Sequence, residues 1–324
     1  MAGLAHSPWR SAPFRSRLRE VEDLLNAGHP DRAAAHCAGL RRRAVQAGCP
    51  AWAVAFGALR AEALLRRGEL AAAEHHATVA LRTAEPLGPA HRLRPAAVLA
   101  ETLTAQGRLT EATHHLPATD PADLARLRHR TDALALLHAR GRIHLAAGRH
   151  RAALAVFLLI GRRLRDRGPG PTPVAWRTGA AEALLALGRA ATAAALLAEQ
   201  LSTACRAGPR ERGIALRLRA ATESPARRPA TLARAVTLLR AAGDRLELAR
   251  AYADLGHAVD LRGDTELAAA FDVRARHLTD TCGAAPTRPH PNPPRRLPGP
   301  TDRPPATPAL PGDTAPLADL APAR

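Results

Sequence analysis

Along most of the chain, apolar residues recur three and four positions apart, in runs a few helical turns long that a glycine cuts and a second run resumes. The stretch Arg245 to Phe271, RLELARAYADLGHAVDLRGDTELAAAF, shows the unit: two amphipathic segments meeting at Gly263. The same punctuation falls at Gly28, Gly68, Gly107, Gly148 and Gly188, spaced by 40, 39, 41 and 40 residues, and the gap of 75 to Gly263 is close to two periods. One degenerate copy fills that gap, with RERGIALRLRAATES (210–224) and ATLARAVTLLRAAG (230–243) as its segments and Pro225 and Pro229 in place of the glycine. The pattern predicts an all-α array of about seven helical hairpins between Arg15 and Ala285.

Three columns hold the register. Five residues after the glycines stand Ala33, Ala73, Ala112, Ala153, Ala193 and Ala268; seven before stand Val21, Ala61, Ala100, Gly141, Ala181 and Gly256; four before stand Leu24, Leu64, Leu103, His144, Leu184 and Val259. A small residue lets the first helix (A) approach its neighbour, a large one fills the groove beside it, and the alanine sets the crossing of the second helix (B). Glycine ends helix A in the left-handed conformation without a Cβ penalty. EPLGPA (85–90) and GPGPTP (168–173) fall between hairpins, where loops belong.

This arrangement resembles the tetratricopeptide repeat, with Leu255-Gly256, Val259 and Ala268 as its best-formed copy, although the period here is about 40 against about 34. The resemblance implies a right-handed superhelix with a concave face. Residues 1–14 are expected to be a flexible N-terminus and 15–285 the repeat domain. Beyond Ala285 the chain turns to proline with arginine, threonine and aspartate, and 286–324 is expected to form a disordered tail.

Composition agrees with a thin stack of helices: 46% of residues are hydrophobic, but only 2% are aromatic. The net charge of +18 comes from arginine alone, since the chain has no lysine. A GC-rich coding sequence produces that bias, and the guanidinium fork also suits carboxylate and phosphate partners. The arginines are spread over nearly every helix and lack interleaved aromatics, so nucleic-acid binding is a secondary expectation. Cys37, Cys49, Cys205 and Cys282 are far apart and have neither metal nor disulfide spacing. The N-terminus has no signal-peptide core, and the longest apolar run, AALAVFLLIG at 152–161, is too short for a bilayer. A cytoplasmic protein without membrane attachment is expected.

Lysine's absence removes the phosphate-binding loop GxxxxGK[ST] and any Schiff-base chemistry; no HExxH, GxSxG or GxGxxG occurs. Acidic residues stand singly and read as solvated helix surface. No catalytic residue, cofactor or resident metal is expected. The weak metal candidates are His36, His76 and His115, each eight residues after its glycine in successive hairpins, doubled by His75 and His114. The same column reads Val156, Leu196 and Phe271 later, which favours partly buried structural histidines. Clamps that grip a C-terminal carboxylate use lysine and asparagine, and this chain has only Asn26 and Asn292 for that role.

The final third is more specific. The run TGAAEALLALGRAATAAALLAEQLSTACRAGPRERGIALRLRA (178–220), then LLRAAGDRLELARAYADLGHAVDLRGD (238–264) and a closing helix ending in CGA (282–284), resembles the C-terminal repeat region of large actinobacterial LuxR-type regulators that also carry an ATP-binding module. Members have a P-loop domain upstream and a DNA-binding helix-turn-helix after that closing helix; this chain shows neither, and APTRPHPNPPRRLPGPTDRPP follows instead. The resemblance implies the sensor or interaction portion of such a regulator, standing alone or truncated. It leads to the expectation of a non-enzymatic protein that binds a protein partner or small regulatory ligand on the concave face.

Overall fold

The computed structural model describes residues 8–116, 131–165, 175–203 and 208–286. They form fourteen α-helices and a short 3₁₀ turn, with no strand among the described residues. The helices are α1 (Pro8–Asn26), α2 (Pro30–Gln46), α3 (Pro50–Arg66), α4 (Leu70–Ala84), α5 (Pro89–Ala105), α6 (Leu109–His114), α7 (Thr131–Ala146), α8 (His150–Arg165), α9 (Trp176–Ala186), α10 (Ala190–Thr203), α11 (Pro209–Ala220), α12 (Arg228–Ala241), α13 (Arg245–Asp260) and α14 (Thr265–Cys282). Taken in pairs they make seven hairpins, odd-numbered helices being A and even-numbered B.

The hairpin turns follow from local chemistry. In the first five, the repeat glycine has a φ between 71° and 83°, and the residue after it donates its amide to the carbonyl four before the glycine: His29 to Leu24, Glu69 to Leu64, Arg108 to Leu103, Arg149 to His144 and Arg189 to Leu184, at 2.8–2.9 Å. This is the 6→1 bond of a Schellman stop. The large-residue column therefore supplies both a packing group and the carbonyl that closes helix A. The next helix opens two residues after the glycine, and the alanine column makes its first intrahelical bond, Ala33 to His29 for example at 3.0 Å. Ala33, Ala73, Ala112, Ala153 and Ala193 are fully buried, as are Val21, Ala61, Ala100 and Ala181.

Several details depart from the sequence expectation. Helix α1 already begins at Pro8, inside the stretch expected to be flexible through residue 14, because proline's fixed φ suits a first helical turn. In the sixth hairpin, helix A stops at Ala220 and helix B starts at Arg228, with Pro229 in its first turn. Gly48, Gly88 and Gly243, between hairpins, also take positive φ and were not singled out by the periodicity. The break at 85–90 is the 3₁₀ turn Glu85–Leu87 followed by Gly88. The break at 168–173, Cys205 and, apart from Pro286, the expected tail lie outside the described residues.

A helices are sunk deeper than B helices. Eleven residues of α13 are buried, among them Ala251 and Leu255, whereas α14 buries only Ala268, Ala275, Thr279 and Cys282. The space between hairpins is filled by approach instead of by bulk: the Phe157 ring lies against Gly141 and Gly179, and that of Trp176 against Gly161. After five hairpins the coil meets itself. The turn at Gly28 abuts Ala242 and Pro209, Gly243 abuts Pro30, Gly68 abuts Cys282, and the Ala285 amide donates to the Ala105 carbonyl at 2.8 Å. No helix among the described residues is long and apolar enough to cross a membrane.

Candidate functional site

Six residues before the glycine of the first five hairpins stand Glu22, Glu62, Glu101, Arg142 and Glu182. All five are partly buried on A helices, one step past the small-residue crossing, and they face the A helices of other hairpins. Glu22 accepts from Arg94 at 2.9 Å, two hairpins away, and Arg94 also lies 3.6 Å from Asp132 in the next. Glu62 binds Arg66 at 2.7 Å, and Arg66 donates to the Leu25 carbonyl at 2.8 Å. Glu101 lies 2.7 Å from His138 Nδ1, and Arg142 donates to Glu182 at 2.6 Å.

The last two hairpins continue the set. Arg210 donates to Asp244 at 2.7 Å, while Asp244 also caps α13 by accepting the Glu247 amide at 3.0 Å. Arg217, only 3% exposed, meets Asp254 at 3.0 Å and Glu247 at 3.3 Å. These groups sense one another around the coil. Burial would raise Glu101, but His138, Arg142 and Arg210 lower it below the usual carboxylate range. Burial opposes the charge on Glu247 too, yet Arg250, Arg217, Arg142 and Arg210 hold it at about 2. Burial likewise disfavours the charge on Arg142 and Arg217, and their carboxylate neighbours more than restore it. Side chains from hairpins three to seven thus converge on one charged axis.

The axis is incompletely satisfied. Arg217 Nε and Glu211 Oε2 are buried without a hydrogen-bond partner, while Arg94 Nε, Arg217 Nη2 and Glu247 Oε2 are met only by ion-pair contacts without hydrogen-bond geometry, at 3.6 and 3.3 Å. Beside Arg217, a cavity of about 20 Å³ is bounded by Arg228, Asp254 and His257, room for one water. These findings correct the expectation that acidic residues are isolated solvated charges: on the axis they and the arginines neutralise each other across hairpins.

The histidine candidates lie elsewhere and are half-buried, His36 and His76 on α2 and α4 and His115 just past the end of α6. His36 Nδ1 is 3.7 Å from Glu20; His76 is shifted down by burial and by Arg60; and the His75–His76 and His114–His115 rings stand edge to face at 5.2 and 6.0 Å. No group of three metal-capable side chains comes together among the described residues. Cys37 is buried, and burial followed by Glu62 pushes its thiol up to about 12. The charged column was visible in the repeat register, but only the curvature of the array shows that it faces inward.

No family model and no curated protein matches the chain. Among solved structures it is similar to BtubC (BKLC) from P. vanneervenii, at 18% identity, with 71% of this chain and 95% of that chain covered and a TM-score of 0.45.

Proposed function

We propose that the chain is a non-enzymatic helical-repeat interaction protein, whose A-helix axis receives a protein segment or a small regulatory ligand carrying both donors and acceptors. The observation that carries this is the axis itself. Charged side chains stand there in helices otherwise dominated by alanine and leucine, and two buried polar atoms, Arg217 Nε and Glu211 Oε2, are left without a partner at a cost of about 1–3 kcal/mol each. A partner offering complementary groups recovers that cost. The same pairing argues against proton-transfer chemistry, because Glu101 and Glu247 are held ionised and arginine does not release its proton. The resemblance of 171–284 to the repeat region of LuxR-type regulators supports a link to transcriptional control. The test places a photo-crosslinking amino acid at Glu22, on the axis, and in a second chain at Arg43, on the outer surface. Discrete adducts from the Glu22 position support the reading, and adducts from Arg43 alone refute it.

A second reading has one observation in its favour. Acids drawn to the axis leave exposed arginines such as Arg42, Arg43, Arg162, Arg165 and Arg234 on B helices of a chain with net charge +18. Low-specificity contact with nucleic acid would then occur on the outside of the coil. It requires affinity for DNA or RNA that falls steeply with salt. Absence of binding at low ionic strength removes it.

A further inference from the structure

The line along which the coil touches itself carries a second role. Most repeat glycines have a local reason to be glycine, since their φ is positive. Gly208 has none: its φ of −63° and ψ of 171° are open to any residue. A methyl group added there would lie 1.7 Å from the Asn26 carbonyl oxygen, across the seam between the first and sixth hairpins. Gly148, Gly188 and Gly263, at equivalent turns off the seam, have nothing within 4 Å of such a group. The glycine at 208 therefore serves the approach of one coil turn to the next.

The seam is also the thinnest section of the molecule. Successive hairpins are joined by whole helix faces and by the charge pairs of the axis. Across the seam stand small residues, the Ala285–Ala105 backbone bond and a small apolar cluster in which Leu64, Leu65 and Leu70 meet Leu246 and Ala284. Hairpins on its two sides, the third against the sixth, supply groups to the same axis. Parting the seam draws Glu101 away from Arg210.

We infer that the seam is a gate: the array rests as a closed coil, and opening along the line through Gly208, Gly68 and Ala285 exposes the axial charges to an incoming partner. This rests on the axis being the binding site, but the gate is read on the free protein. Two variants of the full chain test it. Gly208→Ala costs no local backbone strain, so it perturbs the seam alone, and Gly39→Ala, with nothing within 4 Å, is its control. Hydrogen exchange at the Ala285 amide, beyond the end of α14 and bonded across the seam, is expected to quicken by about tenfold in Gly208→Ala while Ala251 in α13 keeps its protection. A change confined to residues 24–30 and 208–212, or no change relative to Gly39→Ala, overturns the gate.

The second variant locks it. An added Cβ at Gly68 would lie 3.3 Å from Cys282 Cβ and 2.3 Å from its sulfur, close to disulfide reach; the positive φ of Gly68 strains any side chain there, so the variant is compared only with its own reduced form. In Gly68→Cys, oxidation is expected to slow phenylglyoxal modification of Arg210 by about tenfold relative to the reduced form of the same chain. Equal rates in the two forms overturn the gate. Either failure leaves the crosslinking test at Glu22 unaffected, so the gate and the binding site fall separately.

Discussion

Arg217 is the sharpest place to test whether the axial charges hold the array together. Its guanidinium is 3% exposed and reaches Asp254 and Glu247, each 9% exposed, from the neighbouring hairpin. Arg217→Met keeps most of the packing volume and removes the charge. The magnitude has two parts. Holding Glu247 at about 2 is worth about 3 kcal/mol near neutral pH; Arg217 shares that effect with Arg250, Arg142 and Arg210, so its part is about 1 kcal/mol. Withdrawing a charged hydrogen bond from buried Asp254 adds about 1.5–3 kcal/mol. The sum, about 3 kcal/mol, matches the usual cost of breaking a buried pair from one side.

The same loss has a defined pH dependence. Because the folded-state pKa of Glu247 is depressed, its contribution is complete above the unfolded carboxylate value and disappears as pH falls towards about 2. The variant depends less on that ionisation. Its deficit relative to the parent chain should therefore be largest near neutral pH, stay nearly constant to pH ~3 and lose roughly half of Arg217's share of about 1 kcal/mol by pH ~2. Urea unfolding followed by circular dichroism at 222 nm, in matched buffers at these pH values, measures this directly. A deficit below about 1 kcal/mol at neutral pH, or one that grows on acidification, refutes the electrostatic account.

Other features give shorter tests. Alanine at Gly179 would bring a methyl to 2.5 Å from the Phe157 ring, so Gly179→Ala should destabilise by about 1–3 kcal/mol and Phe157→Leu should recover part of it; stabilisation, as helix propensity alone would give, counts against the packing. With its thiol raised to about 12 and no exposed surface, Cys37 should escape iodoacetamide at pH ~8 while half-buried Cys49 reacts, as read by peptide mapping before and after unfolding; equal labelling in the folded chain contradicts the burial. Asp264 caps α14 by accepting the Leu267 amide at 3.1 Å, so Asp264→Ala should cost about 1 kcal/mol and speed exchange in the first turn of that helix; unchanged exchange there would show the cap is dispensable.

What the sequence made legible was what the chain does locally. A glycine that must stop a helix, a large residue whose carbonyl closes the stop and an alanine that opens the next helix all lie within about three turns of one another, and the register exposed them. The sixth hairpin, where prolines replace the glycine, was legible for the same reason, to within four residues at each boundary. The axis was not. Glu22 and Arg94 are 72 residues apart, and Arg142 and Glu182 are 40 apart, so their meeting depends on how each hairpin is rotated on the last. A column of four glutamates and an arginine could have been read from the register, but it was indistinguishable from a solvated stripe until the curvature was known. Gly208 was illegible altogether, since its partner is the carbonyl of Asn26 and no local pattern requires it.

These features share one physical origin. A chain with 2% aromatic residues cannot fill the space between helices with volume, so it closes that space by approach. The fully buried columns at Ala33, Ala73, Ala112, Ala153 and Ala193 and at Ala61, Ala100 and Ala181 are where this happens. Close approach at every hairpin brings the sixth back against the first, which makes the seam. It also brings side chains of the A helices too near one another to remain separately hydrated. A charge placed there must find an opposite charge or bear the full cost of burial. Arginine suits that position because its planar fork meets two carboxylates at once, as Arg217 does with Asp254 and Glu247 and Arg94 with Glu22 and Asp132. The alanine-rich composition, the self-contacting coil and the paired charges within it are consequences of the same packing rule.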